Sequence, residues 1–267
     1  MKHRLTAHAY SFFNALAVFA ALLLLWQSVL WIFRVPPYML PSPGAVTMAV
    51  GAHFESLFNA VEITAEEAAV GLIASTAVGL LVALVFAQMR WVRRMLYPYT
   101  LLLQTVPIVA VAPLILMWVG PGMPAVTLIA FIISLAPIIA NATQGLISVE
   151  ENLVHLFLMH KASPSQLLLK LRLPHAVPSL FVGIRIATGI AVIGAITGEL
   201  YAGSSRVGKG GLGYSILYAS SQLQTDYLFA LVFAATVLGF ALLFVVMFLE
   251  WLCLHRWHET ARALEAE

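Results

Sequence analysis

The sequence predicts an all-α, polytopic membrane protein with about six transmembrane helices, each needing about 20 mostly apolar residues to cross the bilayer. Three observations carry that prediction. The chain is 61% hydrophobic and 10% charged, where a soluble domain carries about 25% charged residues. The apolar residues gather into six long runs. The cations between those runs fall overwhelmingly on one side.

The six runs cover roughly 12–34, 63–88, 96–119, 123–147, 176–202 and 227–254. The first follows the arm MKHRLTAHAYS and is too long for the h-region of a secretory signal, about 7–15 residues; it also ends in Trp31 and Phe33. It reads as a retained span. A proline-rich turn, Val35 to Pro43, separates it from an expected amphipathic helix over about 44–58, lying along the membrane surface. The organisation is then an arm, first span and periplasmic segment over 1–62, a core over 63–254 with a loop at about 148–175, and a tail over 255–267.

Lys2, Arg4, Arg90, Arg93, Arg94, Lys161, Lys170, Arg172, Arg256 and Arg262 share one side, against Arg34, Arg206 and Lys209 on the other. The positive-inside bias places the first set, and both termini, in the cytoplasm of an inner-membrane protein. Tryptophan and tyrosine at the span ends (Trp26, Trp31, Trp91, Tyr97, Tyr99, Trp118, Trp251, Trp257) supply the interfacial belt.

Small residues at helical spacing mark close packing in lipid: Gly71, Ser75 and Gly79 in the second span, Gly194 and Gly198 in the fifth. Pro107, Pro113 and Pro137 predict bends in the third and fourth spans, either around a path or as packing bends. In the 148–175 loop a helix is expected from about Glu150 to His160. A break follows at Ala162-Ser163, with Ser163 capping a second short helix that has Pro164 at its first position and ends at Leu173-Pro174.

Several chemistries find no support. The single cysteine, Cys253, excludes a disulfide framework, and the eight histidines have no acidic or cysteine partner to complete a metal site. No nucleophile–base pair or carboxylate dyad lies in the spans, as a membrane enzyme would need. A net charge of +2 gives no basis for a nucleic-acid partner. Gly203–Lys209 matches G-x-x-x-x-G-K, but Gly210 stands where Ser or Thr must hold magnesium. Gly208–Gly213 matches G-x-G-x-x-G without a βαβ unit. Both read as a glycine turn between the fifth and sixth spans.

Intramembrane polar residues face a path or a partner by default. Arg185 and Glu199 are 14 positions apart, about 21 Å along a helix, so each needs a partner from another element. Gln104, Thr105, Asn141, Thr143 and Gln144 are the other membrane polars, either touching solute or bonding between helices. Glu62, Glu66 and Glu67 either line an outer mouth or are solvated at the interface.

Three stretches, spread over about residues 60–250, resemble a known family. They are Leu103-Gln104-Thr105-Val106-Pro107 with Ala112-Pro113-Leu114 and Trp118-Val119-Gly120; Ala162-Ser163 with Leu173-Pro174, Val177-Pro178 and Gly183–Ala187; and Gly198-Glu199 with Gly211–Tyr214. Together they are similar to the permease subunits of ATP-binding-cassette importers, in the nitrate, sulfonate, taurine and pyrimidine-precursor group. The resemblance implies a type I importer fold working by alternating access. It implies two cytoplasmic ATPase subunits that bind ATP and magnesium, a second permease copy in a homodimer, an extracytoplasmic substrate-binding protein, and no cofactor on this chain. It assigns ATPase docking to His155, Lys161, Ala162, Ser163, Pro164, Leu173 and Pro174, and candidate path positions to Gln104, Thr105, Asn141, Gln144, Arg185 and Glu199. The docking loop departs from the family's Glu-Ala-Ala then Gly: His155, Leu156, Phe157 and Lys161 occupy those positions. Thr64-Ala65-Glu66 and the Gly211–Tyr214 turn resemble members handling pyrimidine precursors or riboflavin-like heterocycles; members handling nitrate, taurine or alkanesulfonates share most of the pattern. The rival reading is an ATP-independent secondary transporter or channel.

Overall fold

A computed structural model describes residues 2–202 and 210–255, with side chains from Asn14 onward except at 15, 16 and 19. The described secondary structure is helical. The chain forms two compact units, residues 1–58 with 215–234, and residues 59–214 with 235–267.

The first unit contains α1 (Lys2–Phe33), α2 (Pro43–Ala52), most of α10 (Leu212–Ser221) and the start of α11 (Thr225–Leu254). The proline-rich turn ends where Ser42 caps α2, its hydroxyl accepting from the Ala45 N–H, with Pro43 at the first helical position. Trp26 stacks on Phe233 and tilts against Phe229, and the His53 ring sits 4.5 Å from that of Tyr227. The Thr225 hydroxyl donates to the Tyr38 carbonyl at 2.8 Å. The expected surface helix over 44–58 is broken: α2 stops at Ala52, and residues from Phe54 onward already belong to the next long helix.

The second unit is the packed bundle. It comprises α3 (Phe54–Gln88) from Asn59, α4 (Arg90–Leu102), α5 (Ile108–Val119), α6 (Met123–Ile147), α7 (Glu151–Met159), α8 (Pro164–Leu167), α9 (Leu173–Ala202) and the end of α11. Its axis is α6. A Cβ added at Gly71 of α3 would sit 2.8 Å from the Ala130 Cβ and 3.1 Å from α6 backbone. One at Gly79 would sit 2.8 Å from Ile138. Both pairs advance by eight residues, so α3 and α6 run parallel. On the other flank Gly194 abuts Ala130 and Gly198 abuts Val126, while Gly145 abuts Ala176; α9 is therefore antiparallel to α6. Ala130, Ala187, Ala191 and Ala195 are fully or almost fully buried in this seam. Lipid tails are as apolar as leucine, so such close backbone approach, rather than exclusion of water, supplies the association.

The third expected span, 96–119, is not one straight helix. α4 passes through a 3₁₀ turn at Leu103–Thr105 and meets α5 at 100°. Pro107 has no N–H and forces the preceding Val106 into an extended conformation (ψ 119°), so the helix stops there. Pro113 and Pro137 remain inside continuous helices. Among the described residues four helices are long and apolar enough to cross a membrane, five if the broken pair is one span. The expected first span falls within α1, of which Ala20–Phe33 is a shorter apolar stretch.

The expected stop at Leu173-Pro174 is also absent. α8 runs through a π-helical turn, Leu168–Arg172, straight into α9. In that turn the Leu173 N–H reaches the Leu168 carbonyl. The widened coil precedes Pro174 and relieves the clash a proline ring causes in a regular helix.

Substituting Leu at Gly71 or Gly194 drives a side chain into α6. Each variant is expected to lose about 1–3 kcal/mol of stability, read as a lower unfolding temperature in detergent, whereas Gly51→Ala, with open space around it, leaves it unchanged.

Candidate functional site

The bundle has two chemically distinct ends. One carries the α7–α8 hairpin. Glu151 starts α7 with an acidic side chain in its first turn, the favourable sign at a helix N-terminus. The helix ends in a Schellman turn: the Lys161 N–H donates to the Leu158 carbonyl and the Ala162 N–H to the Phe157 carbonyl. Such a turn needs a left-handed residue, and Lys161 occupies it at φ 56°. This explains in physical terms why glycine suits that position. Ser163 then caps α8 through a full capping box with Gln166, with Pro164 at the first helical position. The cap read from the sequence is therefore present, and Ala162, Ser163 and Pro164 form the hinge between the two helices. His155 is exposed, and Leu173 and Pro174 lie half-buried in the first turn of α9. Leu156, Phe157, His160, Ala162, Gln166 and Lys170 line a cavity of about 290 Å³ between the helices.

The other end is tied by Glu199, which is fully buried. The Thr64 hydroxyl donates to Glu199 Oε1 at 2.6 Å, and the Gly213 N–H donates to Oε2 at 2.5 Å. The same Thr64 oxygen accepts from the Leu212 N–H at 2.8 Å. Glu67, 1% exposed, lies beside the Glu199 carboxyl in the same site. The carboxyl thus joins α3, α9 and the first turn of α10, whose free N–H groups attract it. A Cβ at Gly213 would collide with the Ile196 carbonyl and the Glu199 side chain, so only glycine lets the turn approach. Glu62 and Glu66 are exposed and Glu67 is buried. The Gly203–Lys209 match lies outside the described residues.

Between the two ends Arg185 finds its partner in α11: its guanidinium bonds Glu250 Oε1 at 2.9 Å. Arg185 and Glu199 remain apart on one helix. Asn141 spends its amide locally, donating to the Pro137 carbonyl at 2.8 Å. Gln144 lines a cavity with Arg93, Arg94, Tyr97 and Thr143. Gln104 and Thr105 are exposed at the break between α4 and α5, where the Thr105 hydroxyl donates to the Leu102 carbonyl.

The sequence reading missed Thr64 and Glu250. It grouped Glu67 with Glu62 and Glu66 and expected no carboxyl pair in the spans, whereas the packing of α3 against α9 buries Glu67 beside Glu199. A signal existed for the burial of Glu67 and for Glu250. Glu67 precedes Gly71, Ser75 and Gly79 at the same four-residue step, which puts it on the buried stripe. Glu250 is the sole acid of the 227–254 run, as Arg185 is the sole base of the 176–202 run.

Residues 75–253 match the family described as the binding-protein-dependent transport system inner membrane component. A probable ABC transporter permease protein of Haemophilus influenzae is 34% identical over 241 residues, covering 90% of this chain and 95% of the relative. The formylaminopyrimidine transport permease protein ThiX of Halalkalibacterium halodurans is 33% identical, covering 76% and 80%. The taurine transport system permease protein TauC of Escherichia coli is 27% identical, covering 85% and 84%. In fold, the chain is similar to the inward-facing MetNI methionine ABC transporter, with a TM-score of 0.51 at 20% identity, over 73% of this chain and 94% of that one.

Two substitutions test the ends of the bundle. Glu199→Gln retains one acceptor for two donors and Glu199→Ala retains none. With about 1–3 kcal/mol lost per buried unpaired group, unfolding temperatures are expected to fall in the order wild type, Gln, Ala. Lys161→Gly removes a left-handed non-glycine residue and is expected to stabilise the α7 terminus by about 1 kcal/mol, seen as slower hydrogen exchange at residues 161 and 162.

Proposed function

We propose, from the premise that this chain belongs to the binding-protein-dependent transport system inner membrane components, that its α7–α8 hairpin is the surface a cytoplasmic ATPase grips. The chain is the permease subunit of an ABC importer for a small solute. The observation that carries the docking assignment is the hairpin's surface. Leu153, Leu156, Leu158 and Met159 stand exposed on one nine-residue helix, Met159 at 80%. Apolar side chains grouped this way on a short helix outside the spans mark a protein contact. The cavity behind them is of a size to accept a partner's side chain.

The hairpin also connects to the spans without a joint, since α8, the π turn and α9 make one helical path to Ala202. Movement of the ATPases would act on the bundle along that path and rock it between inward and outward openings. The excess of cations at the hairpin end supports a cytoplasmic location for it and for both termini. His155, Lys161, Ala162, Ser163 and Pro164 would shape the contact, and Leu173 and Pro174 would anchor its return into α9. A second copy of this chain, two ATP- and magnesium-binding subunits and an extracytoplasmic binding protein complete the assembly.

For the cargo we favour a pyrimidine-like or riboflavin-like heterocycle over nitrate, taurine or a sulfonate. The formylaminopyrimidine permease and a riboflavin transport system permease are each 33% identical to this chain, against 27% and 28% for taurine and nitrate permeases and 28% and 30% for two putative aliphatic sulfonates permeases. The intramembrane Arg185 is moreover already neutralised by Glu250, which leaves it unsuited to attract an anion.

Deleting residues 150–174 is expected to abolish ATPase pull-down while the helices still insert, and Met159→Asp with Leu156→Asp to weaken it at least about tenfold, the scale of a buried interface anchor. Unchanged pull-down refutes the docking assignment, and gradient-driven uptake by the chain alone in liposomes refutes the importer mechanism. In cells, disrupting the chain is expected to stop uptake of labelled formylaminopyrimidine or riboflavin and to spare taurine; the reverse result rejects the heterocycle.

A further inference from the structure

We infer that this chain holds the phosphate group of an anionic phospholipid in a four-arginine pocket at the hairpin end of the bundle. Arg90, Arg93, Arg94 and Arg172 surround a cavity of about 270 Å³, closed by Ala87 and Ile147. Among the described residues none of the four guanidiniums meets a carboxylate at ion-pair distance. One is fixed: Arg172 Nη1 donates to the Ala87 carbonyl at 2.9 Å, at the carbonyl-rich end of α3. The other three stand in the first turns of α4, where the helix dipole is already positive. Cations in that position are destabilising by themselves, and three of them facing a fourth create a strong positive potential that calls for an anion. Guanidinium groups match phosphate oxygens in bidentate geometry.

The location selects the source of that phosphate. Ala87 and Ile147 are the last-turn residues of α3 and α6, two helices that end together and are long and apolar enough to span. The pocket therefore sits at headgroup depth. Trp91, 73% exposed, and the exposed Met95 project from the same helix segment as the arginines, as a side chain at the lipid interface would. Basic pockets between helices at this depth suit lipid headgroups, with about 1 kcal/mol per cation available near the surface. The neighbouring cavity lined by Arg93, Arg94, Tyr97, Pro98 and Gln144 is mostly apolar and gives an acyl chain a place to lie beside the headgroup.

The test uses the purified full-length chain, delipidated and then titrated with phosphatidylglycerol, cardiolipin or phosphatidylcholine, with native mass spectrometry as the readout. Wild type is expected to retain the anionic lipids at least about tenfold better than phosphatidylcholine. Arg93→Gln with Arg94→Gln and Arg172→Gln should lose that preference. Arg93→Lys with Arg94→Lys, which keeps the charge and the fold, should keep most of it. Lys2→Gln with Arg4→Gln, which removes two cations elsewhere, should leave it intact. Equal retention by the glutamine variant and wild type overturns the inference. Displacement of the lipid by millimolar inorganic phosphate would show that the pocket takes a soluble phosphate and would overturn the lipid assignment.

Discussion

The structure of the second unit depends on how closely α6 approaches two neighbours at once. Ala130 touches Gly71 on one side and Gly194 on the other, with no room for a Cβ at either. In lipid there is little hydrophobic drive between helices, so this contact of backbone on backbone is what holds α3 and α9 at fixed register. The register then determines the chemistry. Thr64 and Glu67 lie one to two turns before Gly71, and Glu199 lies just over one turn after Gly194. Because α3 and α9 run in opposite directions along α6, those side chains arrive at the same end and meet.

Within the described bundle, Glu199 and Arg185 each find partners on other elements. The Glu199 carboxyl accepts from a hydroxyl and a backbone N–H. Arg185 is satisfied by Glu250. Exposing either to hydrocarbon would be costly, and both partners come from helices distant in sequence. The two ties therefore also fix which helices are neighbours. The four arginines at the hairpin end differ: they gather round one cavity, and among the described residues none meets a carboxylate.

Much of this was legible in the sequence. Apolar runs of span length gave the membrane class and the bundle helices, and the glycine steps marked the seams, because both depend on composition and spacing alone. The Ser163 cap and the break at Ala162-Ser163 were legible for the same reason. Three features were not. The 100° break needed Pro107 to act at a place where two other prolines, Pro113 and Pro137, leave their helices intact; local sequence does not separate the cases. The continuation through Pro174 needed a π turn, which no propensity announces. The burial of Glu67 and the pairing of Arg185 with Glu250 are tertiary facts, set by helices whose neighbours only the packed bundle reveals.

The uninterrupted path from Pro164 to Ala202 is 39 residues, about 58 Å at 1.5 Å per residue. Such a path behaves as a pushrod with one soft coupling, the wide turn at Leu168–Arg172. Axial thrust passes through it, while twist can be absorbed there before reaching the glycine seam. A displacement imposed at Ser163 would then arrive at Glu199 mainly as a slide along the axis. The carboxyl's grip on the first turn of α10 would be the first contact to feel it.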